Sequence, residues 1–249
     1  MNFEMLASLK LLAEILSKSV RWPGSKSFSI NQLMDELFDI AYQSLQIVTI
    51  CVTFMGIIIV LEYSFHMRLV LNDDGLVPGF AMILLVRELA PIVTALLLTS
   101  KNGASISAEL ASMKNTEQID AYRLLGVDII ESFVAPKVLA GTLATWGLAL
   151  LSLAIAMLGS LFAAVTFLNF TVGTYTQSMT AFIEVSDLGL LSIKSIVFGI
   201  TFPAVSALKG LSAEFGAEGV GKAATDAVVA CSIIIIIEDF IVTYFYSMF

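Results

Sequence analysis

Five long apolar segments constrain what this chain can fold into more than any other feature of its sequence. A helix needs about 20 mostly apolar residues to cross the hydrocarbon core of a bilayer, and each of these segments is long enough. The third is long for one crossing, so it either tilts or continues as a short helix outside the membrane. The sequence therefore predicts an all-α integral membrane protein with five transmembrane helices, over residues 43–63, 77–99, 136–170, 188–208 and 225–246.

The composition supports a bilayer rather than water as the main solvent. Hydrophobic residues make up 58% of the 249 positions and charged residues only 14%, whereas soluble domains carry about 25% charged residues. A net charge of −8 excludes a basic surface for nucleic acid. The two cysteines, Cys51 and Cys231, lie inside apolar segments, which predicts small buried side chains rather than a disulfide.

The first 20 residues form an amphipathic pattern in which Lys10 and Lys18 interrupt the apolar positions. No small-residue cleavage site follows, so the pattern is not typical of a signal peptide. It predicts a helix lying on the membrane surface, and the alternative is a soluble helix that packs on a partner. We therefore divide the chain into an N-terminal cytoplasmic or interfacial helical segment, residues 1–42, and a transmembrane domain, residues 43–249.

Basic residues are distributed unevenly between the loops. They precede the first apolar segment and recur between the second and third segments and between the fourth and fifth. The loop after the first segment has one basic residue and the loop after the third has none. Because positive charge is retained on the cytoplasmic side of a membrane, the N-terminus is predicted to be cytoplasmic and the C-terminus to lie outside.

Several charged residues interrupt the apolar segments: Arg87, Glu88, Lys194, and the pair Glu238 and Asp239. An ionised side chain at the centre of a membrane helix costs about 2.5–3.5 kcal/mol, so these charges require partners or a wet cavity. Neighbours in sequence point roughly 100° apart on a helix and cannot serve one face. The two interpretations are a polar patch in a substrate cavity and a set of structural ion pairs, for example Lys194 with Asp239.

Prolines coincide with these charges. Pro91 removes the hydrogen bond to the carbonyl of Arg87, and Pro203 removes the bond to the carbonyl of Gly199. Such carbonyls are tolerated within a membrane where protein or a water-filled cavity covers them.

Two apparent motifs do not predict chemistry. The glycine-rich stretch 216–223 imitates a phosphate-binding loop but ends in Ala223 instead of a hydroxyl residue, and no strand precedes it. The single histidine, His66, has no cluster of metal-ligating residues beside it in the sequence. We predict no catalytic residues and no metal site.

The segment between the second and third spans is amphipathic. Ile106, Leu110 and Met113 recur at helical spacing, which predicts a short helix over about residues 105–118. Such a helix either lies on the membrane surface or docks a cytoplasmic partner.

Two groups of short motifs are distributed along the chain. The first group is Arg87-Glu-Leu-Ala-Pro91, Gly103, Ala108-Glu109, Met113-Lys114, Thr116-Glu-Gln118 and Gly126-Val-Asp128. The second is Ile193-Lys-Ser195, Glu218-Gly-Val-Gly-Lys-Ala-Ala-Thr225 and Asp239-Phe240. Together they resemble MlaE-type permeases, the membrane subunits of maintenance-of-lipid-asymmetry (Mla) ABC transporters that work with MCE proteins, and the resemblance covers nearly all of residues 40–249.

The resemblance implies a homodimeric permease of the bacterial inner membrane that moves phospholipid to or from a periplasmic MCE-domain protein. It implies that a separate cytoplasmic ABC ATPase uses ATP and Mg²⁺, and that this chain has neither enzymatic activity nor a cofactor of its own. The implied lipid-cavity residues are Arg87, Glu88, Lys194, Asp239 and Glu62. The implied contacts of a coupling helix with the ATPase are Ser105, Ala108, Glu109, Met113, Lys114, Thr116 and Glu117.

Two other functions are compatible with the residues themselves. A secondary transporter or ion-coupled channel would use the intramembrane carboxylates to relay ions, and would be active without an ATPase. A structural membrane anchor would use the same charges only for stability.

Overall fold

The protein is an all-helical bundle, seen in a computed structural model that describes residues 2–25, 28–70 and 76–248. The described part contains no strand. Its α-helices are α1 (Asn2–Arg21), α2 (Ile30–Val70), α3 (Val77–Leu84), α4 (Ala90–Leu98), α5 (Ala104–Asn115), α6 (Gln118–Leu124), α7 (Ala135–Phe167), α8 (Val172–Phe182), α9 (Val185–Leu211) and α10 (Ala217–Met248). Helical turns of π type occupy Leu85–Leu89, Thr99–Gly103 and Ile130–Val134, and a 3₁₀ turn occupies Trp22–Gly24.

Five helical segments are long and apolar enough to cross a membrane, which confirms the predicted number. They run over Ile30–Met67, Val77–Asn115, Ile130–Phe167, Val185–Leu211 and Ala217–Met248. The segments exceed the apolar stretches because polar helical turns extend them. The third apolar segment is one helix that ends at Phe167, and residues 168–171 then lead to the separate helix α8. The division at residue 42 falls inside α2 and stays a prediction.

Small residues allow the spans to approach closely around α7. A methyl group on Gly199 of α9 would come within 2.7 Å of the Cα atom of Thr142, and one on Gly141 within 2.8 Å of Pro203. Interfaces of this kind associate by van der Waals packing, because lipid tails are as apolar as the side chains. The free carbonyl that Pro203 leaves on Gly199 therefore lies in protein and not in lipid.

The expected coupling helix is not confirmed as a separate element. Helix α5 continues the second span through the π turn Thr99–Gly103, and it packs against α9 and α10. Its contact with α9 is tight, because a methyl group on Gly210 would lie 2.6 Å from the carbonyl oxygen of Ser107. The short helix α6 follows, after Glu117 adopts the left-handed backbone conformation at φ 58°.

The N-terminal helix α1 is held against the bundle, although its position relative to a membrane stays a prediction. Lys18 pairs with Glu14 at 2.7 Å and with Asp128, which accepts hydrogen bonds from two backbone amides at the start of the third span. Burial lowers the pKa of Lys18, but hydrogen bonding and charge attraction from Asp128 and Glu14 outweigh it and leave that pKa raised. Burial likewise raises the pKa of Asp128, but the hydrogen bond and charge of Lys18, together with the backbone amides of Glu131 and Ile130, outweigh it and leave that pKa lowered.

Helix α8 lies against α3 at the far end of the bundle. Its buried anchor is Tyr175, whose hydroxyl shares a 2.7 Å hydrogen bond with Ser160. Burial raises the pKa of the Tyr175 phenol, while the bond from Ser160 opposes the shift.

The glycine-rich stretch 216–223 begins at the turn between α9 and α10 and continues as the first two turns of α10, which starts at Ala217. Gly216 has φ +98°, and a methyl group on Gly219 would lie 2.1 Å from the carbonyl oxygen of Glu214. Asn115 accepts a hydrogen bond from the amide of Gly216 at 2.8 Å. Gly216 is thus required by its backbone conformation and Gly219 by the close approach of Glu214, whereas a methyl group on Gly221 would meet open space.

Candidate functional site

The site begins at the π turn Leu85–Leu89 in the middle of the second span. The amide of Ala90 donates to the carbonyl of Leu85, five residues earlier, and Pro91 cannot donate to Arg87. The carbonyl of Arg87 instead accepts a hydrogen bond from the Lys194 ammonium of α9 at 2.8 Å. A side-chain cation therefore satisfies the backbone group that the proline leaves free.

Lys194 is the centre of the cluster and is completely buried. Its ammonium lies 2.6 Å from Oε2 of Glu88 and 2.8 Å from Oδ1 of Asp239. The contact with Glu88 is a hydrogen bond, whereas the contact with Asp239 is an ion pair without hydrogen-bond geometry. One cation thus joins the second, fourth and fifth spans, and the ion pairing predicted between Lys194 and Asp239 is present.

The side chain of Arg87 points in another direction from the same π turn and contacts Asp187, at the start of α9. Its Nε lies 2.6 Å from Oδ1 of Asp187, which is fully buried, whereas 34% of the Arg87 side chain remains exposed. The phenol of Tyr246 donates to the same carboxylate at 3.3 Å, and the guanidinium lies 5.5 Å from that ring's centroid. Of the two cations in the cluster, Arg87 is therefore the accessible one.

Hydroxyl groups complete the cluster on α10 and α9. Thr243, one turn after Asp239, donates to Oε1 of Glu88 at 3.1 Å. Glu238 points away from its neighbour Asp239 and accepts a 2.7 Å hydrogen bond from Thr201 of α9. Adjacent charges thus serve different partners, as helical geometry requires.

Sequence reasoning missed Asp187. This residue lies just before the predicted fourth apolar segment, where an acid is unremarkable, and its partner Arg87 is distant in sequence. A local signal existed, because Glu184 and Asp187 have capping-box spacing and cap α9 reciprocally. That signal indicates a helix start but not the ion pair.

Glu62 does not join the other predicted cavity residues. Its carboxylate is 66% exposed and lies 3.6 Å from Nδ1 of His66, one turn later on α2. The structure therefore brings together Arg87, Glu88, Lys194 and Asp239 and leaves Glu62 apart. No group of three metal-ligating residues occurs in the part of the chain that the structure describes.

The residues predicted for ATPase coupling fall into two sets. Met113 is buried, Lys114 donates to the carbonyl of Ala213 at 2.8 Å, and Glu109 pairs at 3.0 Å with Lys137. These three hold α5 within the bundle. The others are exposed or half-buried: Ser105, Ala108, Thr116 and Glu117.

An apolar surface lies just beyond the exposed residues at the end of α5. Leu124 is 89% exposed and Leu125 is 77% exposed, at the end of helix α6. Gly126, with φ +75°, then turns the chain back toward the third span. We call Leu124 and Leu125 the leucine tip.

Comparison with known proteins places the chain among transporter subunits. The family model described as Permease MlaE matches residues 33–245, which include most of all five membrane-length segments. A probable ABC transporter permease protein of Rickettsia typhi is 33% identical over 86% of this chain and 82% of its own length. A probable ABC transporter permease protein of Synechocystis is 28% identical over 85% and 80% respectively. The chloroplastic protein TRIGALACTOSYLDIACYLGLYCEROL 1 of Arabidopsis thaliana is 27% identical over 95% of this chain and 65% of its own length.

Proposed function

Because the chain belongs to the MlaE permease family, we propose that it is the membrane-spanning subunit of an ATP-driven transporter that moves phospholipid between the bacterial inner membrane and a periplasmic MCE-domain protein. The observation that carries the proposal is the family match across all five spans. The Arabidopsis relative is named after a lipid, trigalactosyldiacylglycerol, and this name supports a lipid substrate. ATP and Mg²⁺ belong to a separate cytoplasmic ATPase, and the N-terminus lies in the cytoplasm.

The charged cluster supports a lipid site in which one cation contacts the headgroup and the other holds the carboxylates in place. A phospholipid headgroup carries an anionic phosphate, which a guanidinium recognises through paired hydrogen bonds. Arg87 keeps part of its surface free and can make that contact, whereas Lys194 is buried and holds Glu88 and Asp239 in place. Lys194 is therefore a positioning residue.

We further propose that two copies associate through α10. An apolar stripe of this helix is exposed in the single chain, and its members include Ile233, Ile237, Phe240 and Tyr244. A stripe at this spacing suits a second membrane helix. The Asp239 face of α10 points instead toward Lys194, so a dimer through the stripe leaves the charged cluster intact.

The leucine tip supports a docking position for the ATPase. Exposed apolar side chains at the end of a short helix fit a hydrophobic groove in a partner. Thr116 and Glu117, both exposed, precede the same helix. We propose that α6 and its flanking turns form the contact and that α5 transmits movement to the spans.

The test is affinity purification of the tagged chain in mild detergent, followed by mass spectrometry of the associated proteins and lipids. We expect an ABC ATPase, an MCE-domain protein and bound phospholipid. A chain that arrives without an ATPase even after crosslinking, but transports ions alone, would contradict the proposal and favour a secondary transporter. Lipid transfer that survives both Glu88→Gln and Lys194→Met would remove the role given to the cluster.

A further inference from the structure

A groove with both polar and apolar walls lies at the opposite end of the spans from α8, where α2 passes the π turn Thr99–Gly103. Its volume is about 410 Å³. It contains no residue of the charged cluster and is lined by Gln43, Gln46, Ile47, Ile50, Cys51 and Lys101. The apolar stretch of α2 begins within it, at Ile47, so the groove spans the boundary between polar and apolar surroundings.

Lys101 supplies the positive charge of this groove. Its ammonium donates to the carbonyl of Gln43, and it makes no ion pair with a carboxylate in the part of the chain that the structure describes. An ammonium has three donors, so two remain for a ligand. The amide of Gln46 lies on the same groove wall and can also donate to an anion.

Asp39 supplies a negative charge one helical turn farther from the apolar stretch. Its Oδ1 accepts a hydrogen bond from the Gln43 amide at 3.4 Å, which places both residues on one face of α2. Lys137, which lines the same cavity as Asp39, is engaged by Glu36 at 2.8 Å and Glu109 at 3.0 Å. Asp39 forms no ion pair among the described residues, so its second oxygen can accept from a ligand.

The apolar floor continues along α2 in the other direction. Ile47 is 45% exposed, Ile50 is 48% exposed, Phe54 is 60% exposed and Ile58 is 56% exposed. Residues three and four positions apart form one stripe on a helix. This stripe leads from the groove into the membrane-crossing part of α2, where acyl chains run.

We propose that the groove binds one phospholipid with a primary-ammonium headgroup, of the phosphatidylethanolamine type. From the apolar stripe outward, the protein presents the cation Lys101, held at the carbonyl of Gln43, and then the carboxylate of Asp39, one helical turn before Gln43 on α2 and in the adjoining cavity. The lipid presents acyl chains, a phosphate and then an ammonium two carbons farther on. The phosphate would meet Lys101 and Gln46, and the ammonium would meet Asp39.

The order of charges in the groove, a cation followed by a carboxylate, matches the phosphatidylethanolamine headgroup better than other common headgroups. A phosphatidylcholine headgroup has no N–H to donate to Asp39, and a phosphatidylglycerol headgroup has no cation. The inference rests only on the embedding of α2 in a membrane, and not on phospholipid transport by the charged cluster. A failure of one therefore leaves the other standing.

The experiment is native mass spectrometry of the full chain, purified in mild detergent and titrated with equal mixtures of phosphatidylethanolamine and phosphatidylcholine. We expect the first bound lipid to be phosphatidylethanolamine with about a three- to fivefold preference, typical of a partly exposed charge contact. Asp39→Asn should abolish the preference while retaining binding. Lys101→Gln should weaken the first binding event for both lipids by a similar factor.

Four controls keep the test specific. Cys51→Phe fills the floor without changing charge and should weaken binding of both lipids, whereas Lys10→Gln removes a cation from α1 and should change neither. Soluble phosphoethanolamine should not compete, because it lacks acyl chains. Thermal unfolding should show that every variant is folded.

Several results would overturn the inference. These are equal binding of both lipids to the unmodified chain, an effect of Lys10→Gln as large as that of Lys101→Gln, or competition by phosphoethanolamine. Oxidative crosslinking of Cys51 between two copies in native membranes, with Cys231→Ser removing the other thiol, would show that a second copy covers the groove instead.

Discussion

At the scale of single residues, Lys194 is a cation whose charge must be compensated inside the bundle. Its ammonium is fully buried and is compensated by two carboxylates and one carbonyl. Removing one partner of a buried ion pair is far more costly than the pair's net contribution, because it leaves an uncompensated charge. Substituting the cation Lys194 should therefore destabilise the protein more than substituting one of its two carboxylate partners.

We expect Lys194→Met to destabilise the protein by about 3–5 kcal/mol, because Glu88 and Asp239 then lose their counter-charge. Asp239→Asn should cost less, since Lys194 keeps Glu88 at 2.6 Å. The measurement is thermal unfolding of the purified chain in detergent. The double variant Lys194→Met/Asp239→Asn should be more stable than Lys194→Met alone, and equal stability of the two would contradict this account.

Several residue-scale features of the cluster could be predicted from the sequence. The proline pattern predicted the free carbonyl of Arg87, and the ion pair of Lys194 with Asp239 was one of two interpretations. The π turn could not be predicted, since it changes the helical period within an otherwise regular apolar segment. The partner of Asp187 and the position of Glu62 outside the cluster could not be predicted either. Contacts between residues distant in sequence depend on how the spans pack, and the periodicity of apolar residues carries no information about that packing.

At the scale of elements, the short helix that the amphipathic pattern predicted over about residues 105–118 is α5, which continues the second span and packs closely on α9. That pattern correctly marked a buried face, because Ile106, Leu110 and Met113 are all buried. The pattern could not predict that α5 continues the second span, because that continuity depends on the π turn that ends at Gly103. Packing, rather than local sequence, thus decides where the span ends.

Gly210→Ala should destabilise the contact between α5 and α9 by about 1–3 kcal/mol, the usual cost of overpacking. The new methyl group would lie 2.6 Å from the carbonyl of Ser107, and backbone cannot move aside cheaply. Gly189→Ala on the same helix has open space around its Cβ position and should stabilise by about 0.5–1 kcal/mol through helix propensity. Unfolding temperatures that fall equally in both variants would argue against the packing explanation.

The link between α1 and the third span gives a prediction about pH. Asp128→Asn removes the ion pair with Lys18 but keeps a cap for the backbone amides, so we expect a loss of about 0.2–1 kcal/mol near pH 7, typical of a partly exposed pair. Asp120→Asn, which breaks the more exposed 3.4 Å pair with Arg123, should have a smaller effect. The measurement is the unfolding temperature of each variant.

The sign of the pH dependence follows from the two shifted pKa values. The pKa of Asp128 is lowered from 3.8, so its contribution is complete above that value and is lost as the pH falls through the lower folded value. The pKa of Lys18 is raised from 10.5, so its contribution is complete below that value and is lost as the pH rises through the higher folded value. The difference between Asp128→Asn and the unmodified chain should be constant from about pH 6 to 9, and a difference that changes within this range would contradict the assignment.

At the scale of the whole molecule, the exposed surfaces are as informative as the core. The spans bury their charges against one another, while α10 and the groove beside Lys101 leave apolar faces uncovered. The leucine tip is different, because it lies at the end of α6, outside the five membrane-length segments, and both side chains are exposed. This exposure is the reason for the proposed contact with the ATPase.

The last prediction tests that partner. The double substitution Leu124→Ser/Leu125→Ser should leave the unfolding temperature within about 1 °C of the unmodified chain, because exposed side chains away from special features change stability by less than about 0.5 kcal/mol. In reconstituted vesicles it should lower ATPase association and lipid-dependent ATP hydrolysis at least about tenfold, as expected for the loss of an apolar anchor worth about 2 kcal/mol. Val185→Ser is the matched control, because Val185 is 86% exposed at the start of α9, beside the charged cluster. If both variants support full ATP hydrolysis and association, the ATPase docks elsewhere, and the exposed Ser105 and half-buried Ala108 of α5 become the next surface to substitute.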